Sequence, residues 1–119
     1  MLLMALQILI VDDEAIIRDI LARQLKSWGH TVRSLASAEE ALALLNKEEA
    51  DAVLLDNVLP GMTGLQALAE VRKRGGVPVI LMTGHFDPEF EKDARLLGAA
   101  AVLAKPLDAE ALRRTLEGL

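Results

Sequence analysis

Five times along its 119 residues, this chain passes from a short apolar run into a stretch whose apolar residues recur at helical spacing. That alternation constrains the fold more than any other feature. A strand, a helix and a second strand bring the chain back to the same end of a sheet. The strands must then run parallel, with right-handed crossovers and helices on both faces. Most of the runs are nearly continuous rather than alternating, the pattern of strands covered on both sides.

The first run is Leu6–Val11. Ile16, Ile17, Ile20, Leu21, Leu25 and Trp28 then repeat as one face of a helix that Gly29 ends. His30–Leu35 reads as a second, more exposed strand, with His30 solvated at its start. Ser37 and Glu40 form the signature of a capping box, opening a helix through about Lys47. Ala52–Leu55 is the third strand, and Asn57–Thr63 is a loop carrying Pro60 and Gly61. Thr63 and Gln66 make a second capping box for a helix that runs to about Arg74 and stops at Gly75-Gly76. Pro78–Met82 is the fourth strand. Asp87, Pro88 and Glu89 supply an N-cap, an N1 proline and a first-turn acid for a helix ended by Gly98. Ala100–Ala104 is the fifth strand, and Asp108 caps a last helix carrying Leu112 and Leu116. Five units are too few for a closed barrel of eight. They fit an α/β fold of the flavodoxin-like, doubly wound type: a five-stranded parallel sheet in order 2-1-3-4-5 with five helices.

Composition excludes several functions. The formal net charge of −5 argues against sequence-independent binding to nucleic acid, which needs a basic face. No cysteine is present, so disulfides, thiolate zinc sites and cysteine nucleophiles are ruled out. Met1–Val11 is the most apolar stretch, but it lacks a basic start and a small-residue cleavage pattern and runs directly into Asp12-Asp13-Glu14. At eleven residues it is also short of the roughly 20 that a membrane-spanning helix needs. A buried strand in a single-domain, cytoplasmic protein covering residues 1–119 is the expectation.

In a doubly wound sheet, ligands bind beyond the carboxyl ends of the strands, where the winding reverses. The residues at those ends are Asp12 and Asp13 after strand one, Asp56 after strand three, Thr83 after strand four and Lys105 after strand five. Each alone has a structural explanation. Asp12 or Asp13 can cap the first helix, and Asp56 can form a turn. Thr83 suits a strand end, and Lys105 suits a solvated surface. Their convergence at one sheet edge points instead to chemistry. Carboxylates held together repel unless a cation compensates, and Mg²⁺ is typically held by one or two carboxylates with waters and phosphate oxygens. With Lys105, the three aspartates leave two negative charges, which one Mg²⁺ neutralises.

Over essentially its whole length the chain resembles the receiver domains of bacterial two-component response regulators. The resemblance rests on Ile10-Val11-Asp12-Asp13-Glu14, Leu55-Asp56, Leu59-Pro60-Gly61-Met62-Thr63-Gly64, Met82-Thr83-Gly84-His85 and Lys105-Pro106. It implies that Asp56 is the phosphoacceptor, receiving a phosphoryl group from phosphohistidine of a sensor histidine kinase or phosphotransfer protein. It implies Mg²⁺ ligation by Asp13, Asp56 and the backbone carbonyl of Val58, with Asp12 acting through a coordinated water. Lys105 would pair with the acceptor and then with the phosphoryl group, Thr83 would move to bond it, and the Lys105-Pro106 peptide would be cis. Such a domain is a switch with self-phosphorylation and self-dephosphorylation chemistry, not an enzyme with a separate substrate. Output would pass to a domain or effector protein outside this chain, with no direct contact to nucleic acid or membrane.

Two departures bear on output. Many receivers carry an aromatic switch residue three positions before the lysine, where this chain has Val102. Leu107 replaces the phenylalanine common after Lys-Pro. Aromatics number only Trp28, Phe86 and Phe90. A hydrogen bond from Thr83 to a charged group supplies roughly 1.5–3 kcal/mol. Driving a two-state element from 1:99 to 99:1 takes about 5.5 kcal/mol. Partial activation until a partner binds is therefore expected, with the fourth helix, fifth strand and fifth helix as the output face. The rival readings are a haloacid-dehalogenase-like phosphatase and a phosphorylation-independent, receiver-like adaptor. The phosphatase family places its nucleophile in Asp-x-Asp after the first strand, whereas Asp12 and Asp13 are adjacent here. His85, two positions after Thr83, lies where receivers tune the access of hydrolytic water, but a loop histidine is equally accounted for by simple exposure. Trp28 is expected to be a lid on the core.

Overall fold

Continuous apolar runs need cover on both faces, and that requirement is met throughout the central sheet. The computed structural model of the chain describes residues 5–119; Met1–Met4, the start of the apolar N-terminal stretch, lie outside the described residues. The strands are β1 (Gln7–Val11), β2 (Thr31–Leu35), β3 (Ala52–Asp56), β4 (Val79–Thr83) and β5 (Ala101–Ala104). They pair in parallel in the order β2-β1-β3-β4-β5, the expected doubly wound arrangement. The helices are α1 (Ala15–Ser27), α2 (Ala38–Leu45), α3 (Gly64–Lys73), α4 (Pro88–Leu96) and α5 (Ala109–Glu117). Among the described residues no helix is long and apolar enough to cross a membrane.

The period-2 alternation of side chains sorts each strand into two cores. Ile8, Ile10, Ala52, Leu54, Ile80, Met82 and Ala101 pack against Leu21 and Leu25 of α1 and Leu112 and Leu116 of α5. Leu9, Val11, Val53, Leu55, Val79, Leu81 and Val102 pack on the other face against α2, α3 and Ala94 of α4. Full burial of each such side chain stabilises the fold by about 1.5–3 kcal/mol. The central strands β3 and β4 are buried at every position, whereas the edge strand β2 is half-exposed.

Local structure refines several expectations. Thr63 and Gln66 form a complete capping box. Ser37 accepts from the Glu40 N–H, but the Glu40 carboxylate turns to the Ser37 hydroxyl instead of its N–H, leaving half a box. α2 also ends at Leu45, two residues early. The Asn57–Thr63 loop contains a small antiparallel ribbon in which Val58–Leu59 pairs with Met62–Thr63. Pro60 followed by Gly61 at φ 77° supplies the fixed φ and then the left-handed residue that such a reversal needs.

His30 is buried, not solvated. Its Nδ1 accepts the Leu6 N–H at 3.0 Å beyond the start of β1, and burial lowers its pKa. The sequence pattern missed this because the hydrogen bond joins residues 24 apart. Trp28 is half-buried over the α1/α5 core, with the Arg113 guanidinium 5.9 Å from its ring centroid, which fits its role as a lid.

Gly64 marks the tightest approach near the polar edge. A Cβ there would lie 2.5 Å from the Asn57 Cα, while the Gly64 N–H donates to the Asn57 carbonyl at 2.8 Å. The clash is with backbone, so it cannot be relieved by a side-chain rotation. Gly64→Ala should therefore destabilise the protein by about 1–3 kcal/mol in urea unfolding, the usual range for overpacking.

Candidate functional site

The polar residues gather where the parallel strands end. Asp12 directly follows β1, Asp56 closes β3, Thr83 closes β4 and Lys105 directly follows β5. Backbone bonds continue past the strand ends and hold them in register. The Asp12 N–H donates to the Leu35 carbonyl at 3.1 Å, the Asn57 N–H to Met82 at 2.8 Å, and the Lys105 N–H to Thr83 at 2.7 Å. The Lys105-Pro106 peptide is cis, as expected from the resemblance. By strand alternation, Asp12, Asp56 and Lys105 follow the α1/α5 face, whereas Thr83 follows the face that carries Leu81 and Val102.

Asp12 is fully buried and Asp56 only 5% exposed. One ammonium serves both: Lys105 Nζ lies 2.7 Å from Asp12 Oδ2 and 3.2 Å from Asp56 Oδ2. The second oxygen of each carboxylate is also occupied. Asp12 Oδ1 accepts the Glu14 N–H at 2.9 Å, and Asp56 Oδ1 accepts the Val58 N–H at 3.3 Å. Both aspartates thus bond the N–H two residues on, as turn formers do, alongside the ion pairs, while the N-cap position of α1 is Glu14, without a side-chain cap bond. Lys105 is far from a solvated surface lysine, and its shorter contact is with Asp12.

Asp13 is exposed, yet it contributes an oxygen to a cluster with Asp12 and Asp56 in which one oxygen from each lies within 4.8 Å of the others. Three carboxylates, two of them sharing a single ammonium, form an oxygen-rich donor set with an unbalanced negative charge, which suits a hard divalent cation. Val58 contributes its N–H to Asp56, and its side chain points to solvent.

Electrostatics reflect the crowding. Burial raises the Asp56 pKa and the Asp12 charge adds to the effect, against the opposing Val58 N–H and Lys105 ammonium. For Lys105, burial acts to lower the pKa, but the hydrogen bonds and charges of Asp12 and Asp56 outweigh it, and the net shift is upward. The ammonium is thereby held protonated, as a positive contact beside Asp56 must be.

Thr83 is buried, and its hydroxyl is committed to the following loop. Oγ1 donates to the His85 carbonyl at 3.1 Å and accepts the His85 N–H at 3.2 Å. His85 itself is exposed, and Val102 is buried in the apolar core. None of the three aromatic residues lies on β5. Sequence reasoning missed Arg18, in the first turns of α1, whose Nη1 donates to the Asp12 carbonyl at 2.7 Å. The available signal was a cation near a helix N-terminus, where the helix dipole disfavours one.

Residues 8–117 match the family model described as the response regulator receiver domain. Among solved structures, NtrX from Brucella abortus is similar at 37% identity and a TM-score of 0.86. The match covers 97% of this chain, which spans 28% of the NtrX chain. The Vibrio cholerae chemotaxis protein CheY4 matches at 29% identity and a TM-score of 0.87, covering 97% of this chain and 98% of that one. A putative response regulator from Chloroflexus aurantiacus matches at 30% identity and a TM-score of 0.89, covering 97% of each chain.

The raised pKa of Asp56 has a consequence for stability. Its carboxyl contributes to the fold while protonated, below about pH 4, the value for an unfolded carboxylate. That contribution is lost as pH rises through the higher folded-state pKa. In chelator at pH 7, Asp56→Asn should therefore melt at a higher temperature than the parent, and the gap should close as pH falls through the carboxylate range. Thermal melts across that window check the sign.

Proposed function

This chain belongs to the response regulator receiver domain family, and from that premise we propose that residues 1–119 form a single phosphorylatable switch. In the cytoplasm, Asp56 would take a phosphoryl group from phosphohistidine of a sensor kinase or phosphotransfer protein, in a Mg²⁺-dependent reaction. The observation that carries this reading is the shared ammonium: Asp56 is buried beside a second buried carboxylate, and Lys105 contacts both.

In the transfer, an Asp56 carboxylate oxygen attacks phosphorus while the bond from phosphorus to the imidazole nitrogen breaks, its electron pair leaving with the ring. Lys105 is positioned to stay with the added phosphoryl oxygens, where a fixed positive group lowers the cost of developing negative charge. Asp13, Asp56 and the Val58 carbonyl are the candidate ligands for Mg²⁺. Asp12 would act on it indirectly through water, as the family resemblance implies. When bound, the cation would offset the negative charge that the phosphoryl group brings into the pocket. The match of residues 8–117 to the receiver domain family speaks against the phosphatase reading, in which the residue after the first strand is the nucleophile.

Thr83 has a hydroxyl to offer the phosphoryl group only by giving up its bond to the His85 carbonyl. Since one bond is exchanged for another, the net drive stays below the roughly 1.5–3 kcal/mol of a hydrogen bond to a charged group. With Val102 in place of an aromatic, the β5 position has no large ring to rotate with it. The output face of α4, β5 and α5 would then be only partly converted until an effector or output domain binds.

Two outcomes follow. Acetyl phosphate with Mg²⁺ should add one base-labile phosphoryl group by intact mass, absent with chelator or in Asp56→Asn; a parent protein without adduct sinks the reading. On adding beryllofluoride and Mg²⁺ without a partner, the β5 amide resonances should stop short of full conversion. Complete conversion would count against partial activation.

A further inference from the structure

α1 begins with a charge in an unfavourable place. Its first turn contains no acidic residue, and its fourth residue is Arg18, where the positive end of the helix dipole disfavours a cation. Arg18 is half-buried, and its side chain turns back to the loop between β1 and α1, where Nη1 meets the Asp12 carbonyl at 2.7 Å. With that contact, every polar atom of Asp12 is fixed: N–H to Leu35, carbonyl to Arg18, and one carboxylate oxygen each to Glu14 and Lys105.

Asp13 is the next residue and its situation is the opposite. Its side chain is exposed, and among the described residues no hydrogen bond or ion pair holds its carboxylate. With no partner to fix its rotamer, that carboxylate can reach the cluster only from where the backbone places its Cα, and the peptide joining Asp12 to Asp13 is the unit whose carbonyl Arg18 grips.

We infer that Arg18 is a positioning residue: by holding the Asp12 carbonyl it aims the Asp13 carboxylate into the cluster with Asp12 and Asp56, and so sets the affinity and selectivity of the pocket for its divalent cation. The inference rests on the Mg²⁺ reading above. It gives Arg18 a role opposite in sign to that of its charge. A positive charge near three carboxylates weakens cation binding, so removing it should tighten binding if charge is all it contributes. Loss of an orienting contact weakens binding instead, by 10- to 100-fold at well-studied metal sites. It should also fall harder on Mg²⁺, which demands near-ideal octahedral geometry, than on Ca²⁺, which tolerates irregular ligation.

The test is calorimetric titration of the full chain with MgCl₂ and separately with CaCl₂, at fixed ionic strength, for the parent and Arg18→Met. The expected result is Mg²⁺ binding weakened about tenfold and Ca²⁺ binding weakened less than about threefold. Unchanged or tighter Mg²⁺ binding overturns the inference, as do equal losses for the two ions. Should Arg18→Met fail to fold, Arg18→Lys serves: it keeps the charge but is one atom shorter, and at least threefold weaker Mg²⁺ binding is expected. Parent-like affinity in that variant overturns the inference. A parent protein that binds no Mg²⁺ would instead bring down the functional reading itself, and this inference with it.

Discussion

One ammonium held between two buried carboxylates organises this molecule. Lys105 leaves the end of β5, passes the end of β4 and reaches both Asp56 on β3 and Asp12 after β1. At about 4.8 Å between neighbouring strands, that contact ties together chain segments roughly 14 Å apart across the sheet. It is favourable only because each charge has further partners. An ion pair removed from water gains little unless its remaining lone pairs are satisfied, and here the Glu14 and Val58 N–H groups satisfy them. The backbone bonds linking Asp12 to Leu35, Asn57 to Met82 and Lys105 to Thr83 keep these groups within reach.

The balance is deliberately incomplete in charge. Three carboxylates cluster where one lysine pairs two of them, and burial, with the Asp12 charge adding to it, raises the Asp56 pKa. The three carboxylates form a donor set that could hold a divalent cation. Arg18 belongs to the same economy of position. It contacts a neutral carbonyl instead of a carboxylate, and therefore holds the loop without closing the charge deficit.

Strand alternation divides the residues of this sheet edge between two layers. Asp12, Asp56 and Lys105 follow the face packed on α1 and α5, while Thr83 and Val102 follow the face packed on α2, α3 and α4. The Thr83 hydroxyl spans to the loop that leads into α4. Val102 on β5 is buried on that same face. A small, fully packed β-branched side chain has no alternative position to occupy.

The five β-α units, the parallel order and the set Asp12, Asp13, Asp56, Thr83 and Lys105 are legible in the sequence because they depend on short-range periodicity and on position at a strand end. Gly29, Gly98, Asp87 and Asp108 likewise mark their helix boundaries through local backbone chemistry. What the sequence leaves open is set by partners distant along the chain. His30 looks solvated until Leu6 is placed beside it, and the half-formed box at Ser37 depends on where one carboxylate turns. Lys105 could be a surface lysine until the sheet brings Asp12 within 2.7 Å of it, across 93 residues of chain. Local pattern determined which groups would gather at the sheet edge. Only the packed sheet decided which of them share a proton donor and a charge, because hydrogen bonds and ion pairs are fixed by ångström-scale distances that residue spacing does not encode.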